Sequence, residues 1–513
     1  MTKSLTTEAV LLSLGLLLQA CGSHNAPPAP AIVDVNGGLS GSGTLGSVFI
    51  VDGTGFGDLT AQASGYSLDF RDAASNAVVA SSTSAINYAG LAWRSLFITA
   101  TVPTTGLTAG ITYKVTVTTP GGTSNAVSFL ILSAAPYAPN TVWTKSTNSL
   151  PVAIQGFPTA VATIGTGATA ATYAYALGGN TASSGATSGK AANTAAVSFS
   201  KLNPTAGAIS LATWTQTTAL PAARGFSAAV VATSFNSKVG GNGTIYVLGG
   251  LDATGAATST IYEVSLNADG TIPAVSPAAG SWATLTATPL PQALYAHGAV
   301  IFHGHIYVAG GNDSTGTPVA KVYSAPINAD GTLGAWTTLV DLPDTRAYHQ
   351  FVTAAGNIYV LGGTNAKVDP IVNAQSTGAQ STIFYQAINL KDGTLTGTTW
   401  TTNGTGLSKS REKFSAVVAG GGVLASGGLY NGASNGSTEQ EFASINTDGS
   451  LSSFTTVTGS TTITKQVGGY NFYNHSSAYF ADTAGNPHVL ILGGAEISNT
   501  ASSGTPHAEV WYQ

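Results

Sequence analysis

Charge is scarce in this 513-residue chain: Asp, Glu, Lys and Arg together make up 8% of it. An average soluble domain has roughly 25%, so Thr, Ser, Asn and Gly must supply the polar surface. The formal net charge is −5, with only 17 Lys and Arg residues. Nucleic-acid binding needs clustered cations that displace counterions. The composition therefore argues against a nucleic-acid partner.

Cysteine is nearly absent as well, and the single residue, Cys21, excludes an intramolecular disulfide. Residues 1–20 before it carry Lys3 and the apolar run Ala9–Leu18. That run is too short to span a bilayer and has the layout of a secretory signal peptide. Leu18-Gln19-Ala20-Cys21 resembles the lipobox of bacterial lipoproteins, which implies that Cys21 is lipidated and begins the mature chain. An ordinary cleaved signal with an incidental cysteine is the alternative.

No second apolar run of about 20 residues follows the leader, so the lipid is the expected anchor. Gly22, rather than Asp, follows Cys21, a pattern that favours the outer membrane in enteric-type bacteria. Residues 21–30 form a proline-rich, semi-extended tether. We therefore expect a lipid-anchored protein of the bacterial cell envelope, on the periplasmic side or exposed at the surface.

Residues 31–133 alternate apolar and polar side chains between turn-forming clusters, the pattern of short strands in a sandwich. Gly53-Thr-Gly-Phe-Gly57 follows one predicted strand, and Thr119-Pro-Gly-Gly-Thr-Ser-Asn125 precedes the last, Ala126–Leu132. With Val102-Pro103, these residues resemble the IPT/TIG domain. The resemblance implies an immunoglobulin-like β-sandwich that serves as a spacer or interaction module.

Glycine doublets punctuate the remaining chain. Each ends an apolar segment such as Ile245-Tyr-Val-Leu-Gly-Gly250, and the spacing of about 50–70 residues predicts an array of supersecondary units. The six doublets are Gly178-Gly179, Gly249-Gly250, Gly310-Gly311, Gly362-Gly363, Gly427-Gly428 and Gly493-Gly494.

Each unit also begins with an aromatic residue. Four Asp-Gly turns, which are strong hairpin chemistry, each lead from a third predicted strand back to the next aromatic. The opening aromatics are Trp143, Trp214, Trp282, Trp336, Trp400 and Phe454. The turns end at Gly270, Gly331, Gly393 and Gly449. Four strands per unit with Gly-Gly after the second resemble the kelch repeat, which implies a β-propeller over residues 140–513.

The two ends of this region complete the count of units. His507–Gln513 reads as a third strand with no fourth after it, and Thr141–Thr144 reads as a fourth strand with no unit before it. Joining them removes exposed sheet edges. We therefore predict an all-β chain whose six-bladed kelch-type propeller is closed by an N-terminal outer strand and preceded by the sandwich.

The face that receives the doublets also receives the loops between second and third strands and between units. Long loops fall at Asn180–Asn193, Thr364–Ser381 and Thr455–Asn474, and loops on a rigid scaffold carry function. Candidate binding residues lie just before or at the start of the first strand in several units: Arg224, Tyr295, His297, Arg346, Tyr348, His349, Arg411, Tyr473 and His475. Such residues could bind a sugar or a carboxylate, but they could equally brace neighbouring units. The three histidines lack a metal-binding motif, so no metal is predicted.

Catalysis is harder to support than recognition. Galactose-oxidase-like kelch enzymes need a Tyr–Cys cross-link, which the lone Cys21 cannot supply. Kelch-type epimerases need acid–base residues, but Glu412 and Asp344 have no recognisable partner in the sequence. We therefore predict a non-catalytic envelope protein, without a cofactor, that binds a protein or glycan partner. The alternative is a kelch-fold, epimerase-like enzyme acting on an envelope sugar.

Overall fold

The computed structural model describes 23 segments of the chain. They are 29–35, 40–46, 48–57, 59, 64–82, 97–132, 143–164, 171–183, 189–205, 208–232, 242–273, 281–302, 304–328, 330–354, 356–371, 376–389, 393–419, 421–430, 439–446, 449–457, 471–481, 487–498 and 501–513. The leader, the lipidation candidate Cys21 and most of the tether lie outside these segments, as do parts of all three long loops.

The described chain is all-β, and its N-terminal part forms two sheets with a common core. The smaller sheet contains Ala31–Val35, Val48–Thr54 and Phe97–Thr101. The larger contains Ser40–Thr44, Ser67–Asp72, Val78–Ser81, Thr112–Thr119, Gly122–Thr123 and Val127–Leu132. Pairing is antiparallel except between Ser40–Thr44 and Val127–Leu132.

Aromatic rings fill the space between these two sheets. Phe49 from the smaller sheet meets Phe70 and Phe129 from the larger, with centroids 5.5 and 5.1 Å apart in edge-to-face geometry. All three are buried. Such pairs are worth about 0.5–1.5 kcal/mol beyond the area they bury. The apolar positions of the alternating pattern therefore face the core between the two sheets.

Six antiparallel sheets follow, numbered here in chain order. Sheet 1 contains Thr159–Ile164, Ala171–Leu177 and Val197–Thr205, with Ala208–Leu211 and Thr215–Thr217 both pairing to the third strand. Sheet 2 contains Ala228–Ala232, Thr244–Leu248, Ile261–Ser265 and Ala283–Thr284. Sheet 3 contains Gly298–Phe302, His305–Ala309, Val322–Pro326 and Thr337–Thr338.

The last three sheets repeat the same order. Sheet 4 contains Gln350–Ala354, Asn357–Leu361, Ile383–Ala387 and Thr401–Thr402. Sheet 5 contains Ser415–Ala419, Gly422–Ser426, Gln440–Ser444 and Thr455–Thr456. Sheet 6 contains Ser476–Ala481, Pro487–Leu492, Val510–Tyr512 and, from the other end of the region, Thr144–Lys145.

Sheet 6 therefore joins strands that are distant in sequence. Thr144 pairs with Tyr512 and Lys145 pairs with Trp511, antiparallel. This is the terminal pairing predicted from the two incomplete units. It covers the outer edge of the third strand, which would otherwise offer unpaired backbone groups.

The six sheets are neighbours in circular order. The first strand of each sheet packs beside the first strand of the next, and the first strand of sheet 6 packs beside that of sheet 1. Buried clusters lie between adjacent sheets: Tyr246 and Ile261 of sheet 2, for example, share one with Ile306 and Tyr323 of sheet 3. The second strands of sheets 2 and 5 are buried along their whole length, and those of sheets 1, 3 and 4 are buried after their first residue. Both faces of these strands meet a neighbouring sheet.

Short elements decorate the ends of the sheets. They are the strand pair Arg411–Glu412 with Leu429–Tyr430, the three strands Asn471–Tyr473, Ala495–Ser498 and Ala501–Pro506, and the 3₁₀ turn Gly189–Ala191. No helix of the described residues is long and apolar enough to cross a membrane.

Candidate functional site

The glycine doublets connect each sheet to the next. The second glycine donates its N–H across the gap, as from Gly250 to the carbonyl of Leu294 at 2.8 Å and from Gly363 to that of Arg411 at 2.9 Å. Both glycines of every doublet have positive φ, which only glycine adopts without cost. The doublets therefore fix the spacing of the sheets at one rim, which we call the doublet face.

A ring of backbone hydrogen bonds lies inside this rim. Six residues, one before each first strand, have φ between 52° and 57°. The N–H of each donates to the carbonyl of its counterpart in the preceding sheet at 2.6–3.2 Å, and that of the first donates to the last. The six are Gly156, Phe226, Ala296, Tyr348, Lys413 and Asn474.

Lys413 is the one cation in this ring, and it is buried. Its Nζ donates to the carbonyl oxygen of Asp369 at 3.0 Å. It also lies 5.2 Å from the ring centroid of Tyr348 and 5.8 Å from that of Tyr473, the geometry of a cation–π contact. Burial lowers the pKa of Lys413 to about 8, against the opposing effect of Glu412 and Asp369.

The segment Asp369–Ile371, which we call the strap, covers the ring. Asn474 Nδ2 donates to the Pro370 carbonyl at 3.0 Å, and the Ile371 side chain packs in a buried cluster with Phe226 and Tyr348. Lys190 lies 3.4 Å from the Asp369 carboxylate. The strap, which belongs to the predicted long loop Thr364–Ser381, thus folds inward over the ring.

The three predicted histidines lie buried between doublets. A Cβ on Gly310 would lie 2.8 Å from Cε1 of His349, and one on Gly363 would lie 2.6 Å from its Cβ. Gly249 and Gly311 enclose His297 in the same way, and Gly427 and Gly494 enclose His475. These contacts match the bracing interpretation, because each imidazole fills the gap between two sheets.

Burial keeps these imidazoles neutral at pH 7. It lowers the pKa of His297 to about 4 and that of His475 to about 3. Burial, and then the charge of Arg346, lowers the pKa of His349 to about 3. Among the described residues, neither ring nitrogen of His297 has a hydrogen-bond partner, whereas Nε2 of His475 lies 2.8 Å from Ser415 Oγ.

The three predicted arginines are also buried, and the side chain of each packs against the third strand of its own sheet. Arg224 lies over the ring of Tyr262, 4.7 Å from its centroid, and Arg346 lies 5.0 Å from that of Phe384. Arg411 forms an ion pair with Glu441 at 2.8 Å. The structure therefore distributes the arginines over three sheets and does not bring them to one mouth.

The predicted tyrosines do cluster at the ring. Tyr295 and Tyr348 share a buried cluster under the strap. Burial, and then Asp369, raises the pKa of Tyr295 to about 12, while burial and then Tyr295 hold that of Tyr348 well above its usual range. Tyr473 also contacts Lys413, and burial raises the pKa of Tyr473 too.

Two carboxylates without a recognisable partner in the sequence have partners in the structure. Glu412 accepts hydrogen bonds from the backbone N–H and the hydroxyl of Ser376, at 3.1 and 2.6 Å. Asp344 pairs with Arg346 at 2.6 Å. Neither is set up as a free acid or base. His305 packs against the Asp-Gly turn at Gly393.

Sequence reasoning missed the strap and the role of Lys413. The sequence does contain a signal for Lys413, which lies two positions after Arg411, just as Tyr348 lies two positions after Arg346. This shared spacing places Lys413 in the ring. The inward path of the strap has no comparable local signal.

A second feature of the doublet face is a cleft on sheet 6. It has a volume of about 340 Å³, open to solvent, and its lining includes Phe472, Ile491, Gly493, Gly494, Glu496, His507, Glu509 and Trp511. Glu496 and His507 lie 3.0 Å apart, and Glu509 forms an ion pair with Lys145. The cleft thus combines an aromatic floor with two carboxylates at its rim.

The described residues bring together no group of three or more His, Cys, Asp and Glu side chains that could hold a metal. No protein-family model and no curated protein matches the chain. Among solved structures it has a distant likeness to "Structure of YjhT", with 13% sequence identity and a TM-score of 0.44. The alignment covers 71% of this chain and 95% of that one. A likeness of this degree carries no argument about function.

Proposed function

We propose that residues 140–513 form a six-bladed kelch-type propeller, preceded by an immunoglobulin-like sandwich at 31–133. The circular order of the six sheets supports the propeller, as do the hydrogen-bonded ring and the pairing of the two ends in sheet 6. The shared core of the two N-terminal sheets supports the sandwich. Each sheet of the propeller is one blade. The doublet face carries the loops between the second and third strands of each blade and the loops from each fourth strand to the next first strand.

Within this architecture the protein is a non-catalytic recognition protein that binds another macromolecule of the cell envelope through the doublet face. One observation carries this proposal: the six first strands contain no Asp, Glu, Lys, Arg or His. Acid–base catalysis along a channel between these strands would need such groups. The loops of the doublet face differ in length and sequence from one sheet to the next, and such loops on a rigid scaffold carry function.

The partner is a protein or a glycan. The cleft on sheet 6 favours a protein, because its carboxylates suit a cationic side chain better than a neutral sugar. The kelch-fold enzyme predicted as the alternative lacks a supporting geometry at the ring, where Glu412 bonds to Ser376 and not to a histidine or tyrosine.

The test is capture of envelope proteins and glycans by the purified chain. Thr254→Arg and Ser314→Arg place a bulky charge on exposed positions of the doublet-face loops. Ala268→Arg places the same charge on the exposed Asp-Gly turn at the opposite face. Loss of the captured partner with the first two variants alone supports the proposal. Equal capture by all three would rule out the doublet face.

We further propose that Cys21 is lipidated and anchors the protein in the outer membrane. The support is Leu18-Gln19-Ala20-Cys21 after an apolar run. Cys21→Ala should move the protein from the membrane fraction to the soluble fraction. Retention of the variant in membranes contradicts the anchor.

A further inference from the structure

One position of the repeat is occupied by arginine in three sheets. It lies two residues before the ring residue, and its carbonyl accepts the hydrogen bond from the second glycine of the preceding doublet. Sheets 2, 4 and 5 have Arg224, Arg346 and Arg411 there. The backbone of this position is therefore the same in each sheet, and only the side chain differs.

Each of these arginines fills the same place, over the third strand of its own sheet. Arg224 Nη2 donates to the Tyr262 hydroxyl at 2.6 Å while its guanidinium covers the ring. Arg346 covers Phe384 and is held by Asp344 at 2.6 Å. The common chemistry is a guanidinium on a third-strand side chain, with oxygen acceptors around it.

Sheet 6 has the acceptors but lacks the arginine. Phe472 stands at the arginine position, since its carbonyl accepts from Gly428 N–H at 3.0 Å. The third-strand residue that corresponds to Tyr262 is Trp511. Phe472 and Trp511 both line the cleft, which is open to solvent.

Among the described residues, two carboxylates line this cleft, those of Glu496 and Glu509. Glu509 pairs with Lys145, and Glu496 lies 3.0 Å from His507. Lys145 Nζ also lies 5.6 Å from the Trp511 ring centroid, so a cation already contacts this ring. Both carboxylates are partly exposed and can accept from a ligand that enters the cleft.

We propose that the cleft on sheet 6 binds the guanidinium of an arginine side chain from a partner protein. This inference rests on the proposed function, because it names the chemistry that the doublet face recognises. The guanidinium of the ligand would occupy in sheet 6 the place that the guanidinium groups of Arg224, Arg346 and Arg411 occupy in their own sheets. Glu496 and Glu509 would accept its N–H donors, and the aromatic floor would hold the plane of the guanidinium.

A direct binding measurement tests the proposal with a defined probe. The purified full chain is titrated with N-acetyl-arginine amide, and binding is followed by saturation-transfer NMR and tryptophan fluorescence. N-acetyl-citrulline amide, which has nearly the same shape without the charge, should bind at least about tenfold more weakly, because charge-assisted hydrogen bonds are the stronger ones. Equal binding of both compounds, or of neither, overturns the proposal.

Two sets of variants locate the site. Glu496→Gln and Glu509→Gln should each weaken arginine binding about three- to tenfold, whereas Glu439→Gln, whose carboxylate pairs with Lys409 on sheet 5, should leave it unchanged. Phe472→Arg restores the internal arginine and should abolish binding of the probe while the thermal unfolding midpoint is retained. If Phe472→Arg does not fold, the glutamine variants decide, and full binding by both contradicts the cleft.

The two proposals can fail independently of each other. If the arginine probe does not bind but Thr254→Arg and Ser314→Arg still prevent capture of an envelope partner, the doublet face binds a partner and the cleft is not an arginine site. If the probe binds in the cleft but the loop variants do not affect capture, the cleft binds arginine and the rest of the doublet face does not bind the captured partner.

Discussion

The hydroxyl of Tyr359 donates a hydrogen bond to the carbonyl oxygen of Gly449, 2.7 Å away. Tyr359 lies on the second strand of sheet 4, and Gly449 ends the Asp-Gly turn of sheet 5. Sheets 5 and 6 carry Leu424 and Leu490 instead, and the sheets that follow them have no Asp-Gly turn. The same contact recurs between the earlier sheets, as Tyr175–Gly270, Tyr246–Gly331 and Tyr307–Gly393.

Tyr359→Phe should lower the free energy of unfolding by about 1–2 kcal/mol, because the buried carbonyl of Gly449 loses its donor. Urea unfolding followed by fluorescence measures the change. The control is Tyr385→Phe, whose ring stacks on Tyr359 with centroids 5.9 Å apart but whose hydroxyl takes no part in this contact. A loss of equal size in both variants would show that the hydrogen bond is not the cause.

The correspondence between tyrosines and turns explains why so much of the fold could be predicted. Three features of the sequence each make a contact that recurs from sheet to sheet, and they are therefore repeated along the chain. They are the glycine doublets, the Asp-Gly turns and the tyrosine of Ile-Tyr-Val-Leu-Gly-Gly. Terminal pairing followed from the same logic, since Thr144 and Tyr512 complete one sheet. A repeated contact leaves a repeated signal.

The candidate site was harder to predict because its contacts occur once. Lys413 donates to Asp369, a residue 44 positions away on a loop of another sheet. Nothing local to either residue specifies that contact. The histidines and arginines lie at recurring positions of the sequence, but the burial of the histidines depends on the glycine doublets of neighbouring sheets. Sequence spacing therefore located these side chains without showing that they face inward.

Gly363→Ala should destabilise the protein by about 3 kcal/mol or more, because an added Cβ meets close neighbours at a positive φ. That Cβ would lie 2.6 Å from the Cβ of His349 and 2.7 Å from the carbonyl oxygen of Ala347, at a φ of 84°. Thermal and urea unfolding measure the loss.

Gly356→Ala is the matched control for this substitution. Gly356 has a φ of 78°, but a Cβ there would meet nothing within 4 Å. Its cost should stay near the 1 kcal/mol of the backbone strain alone. Similar losses in both variants would mean that the doublet is required only for its backbone conformation and not for the approach of the next sheet.

Trp143→Phe should destabilise the protein by about 2–3 kcal/mol. The indole Nε1 donates to Gln440 Oε1 at 2.9 Å, and both side chains are buried. The substitution leaves the amide oxygen unsatisfied and opens a small cavity. Lys145→Gln, two residues along, removes an exposed ion pair with Glu509 and should change stability by less than about 0.5 kcal/mol. A larger loss from Lys145→Gln than from Trp143→Phe contradicts this account of sheet 6.

His297 and His349 should make the fold sensitive to acid. Burial holds their pKa values at about 4 and about 3, whereas an unfolded histidine has a pKa near 6.5. Between these values the unfolded chain binds more protons than the folded one, so stability rises with pH through this window. Their full contribution is present above about pH 6.5 and is lost as the pH falls towards 4, by about 2 kcal/mol per histidine at pH 5.

The double variant His297→Phe, His349→Phe should therefore lose less stability than the parent between pH 7 and pH 5, by about 4 kcal/mol. Phenylalanine suits the position, because Phe157 and Phe414 occupy it in sheets 1 and 5. Phe414→Leu is the control for packing, since it should lower the free energy of unfolding equally at both pH values. Urea titrations at pH 7, 6 and 5 measure all three proteins. An unchanged pH dependence in the double variant would mean that these imidazoles take up protons in the folded state and are not held neutral by burial.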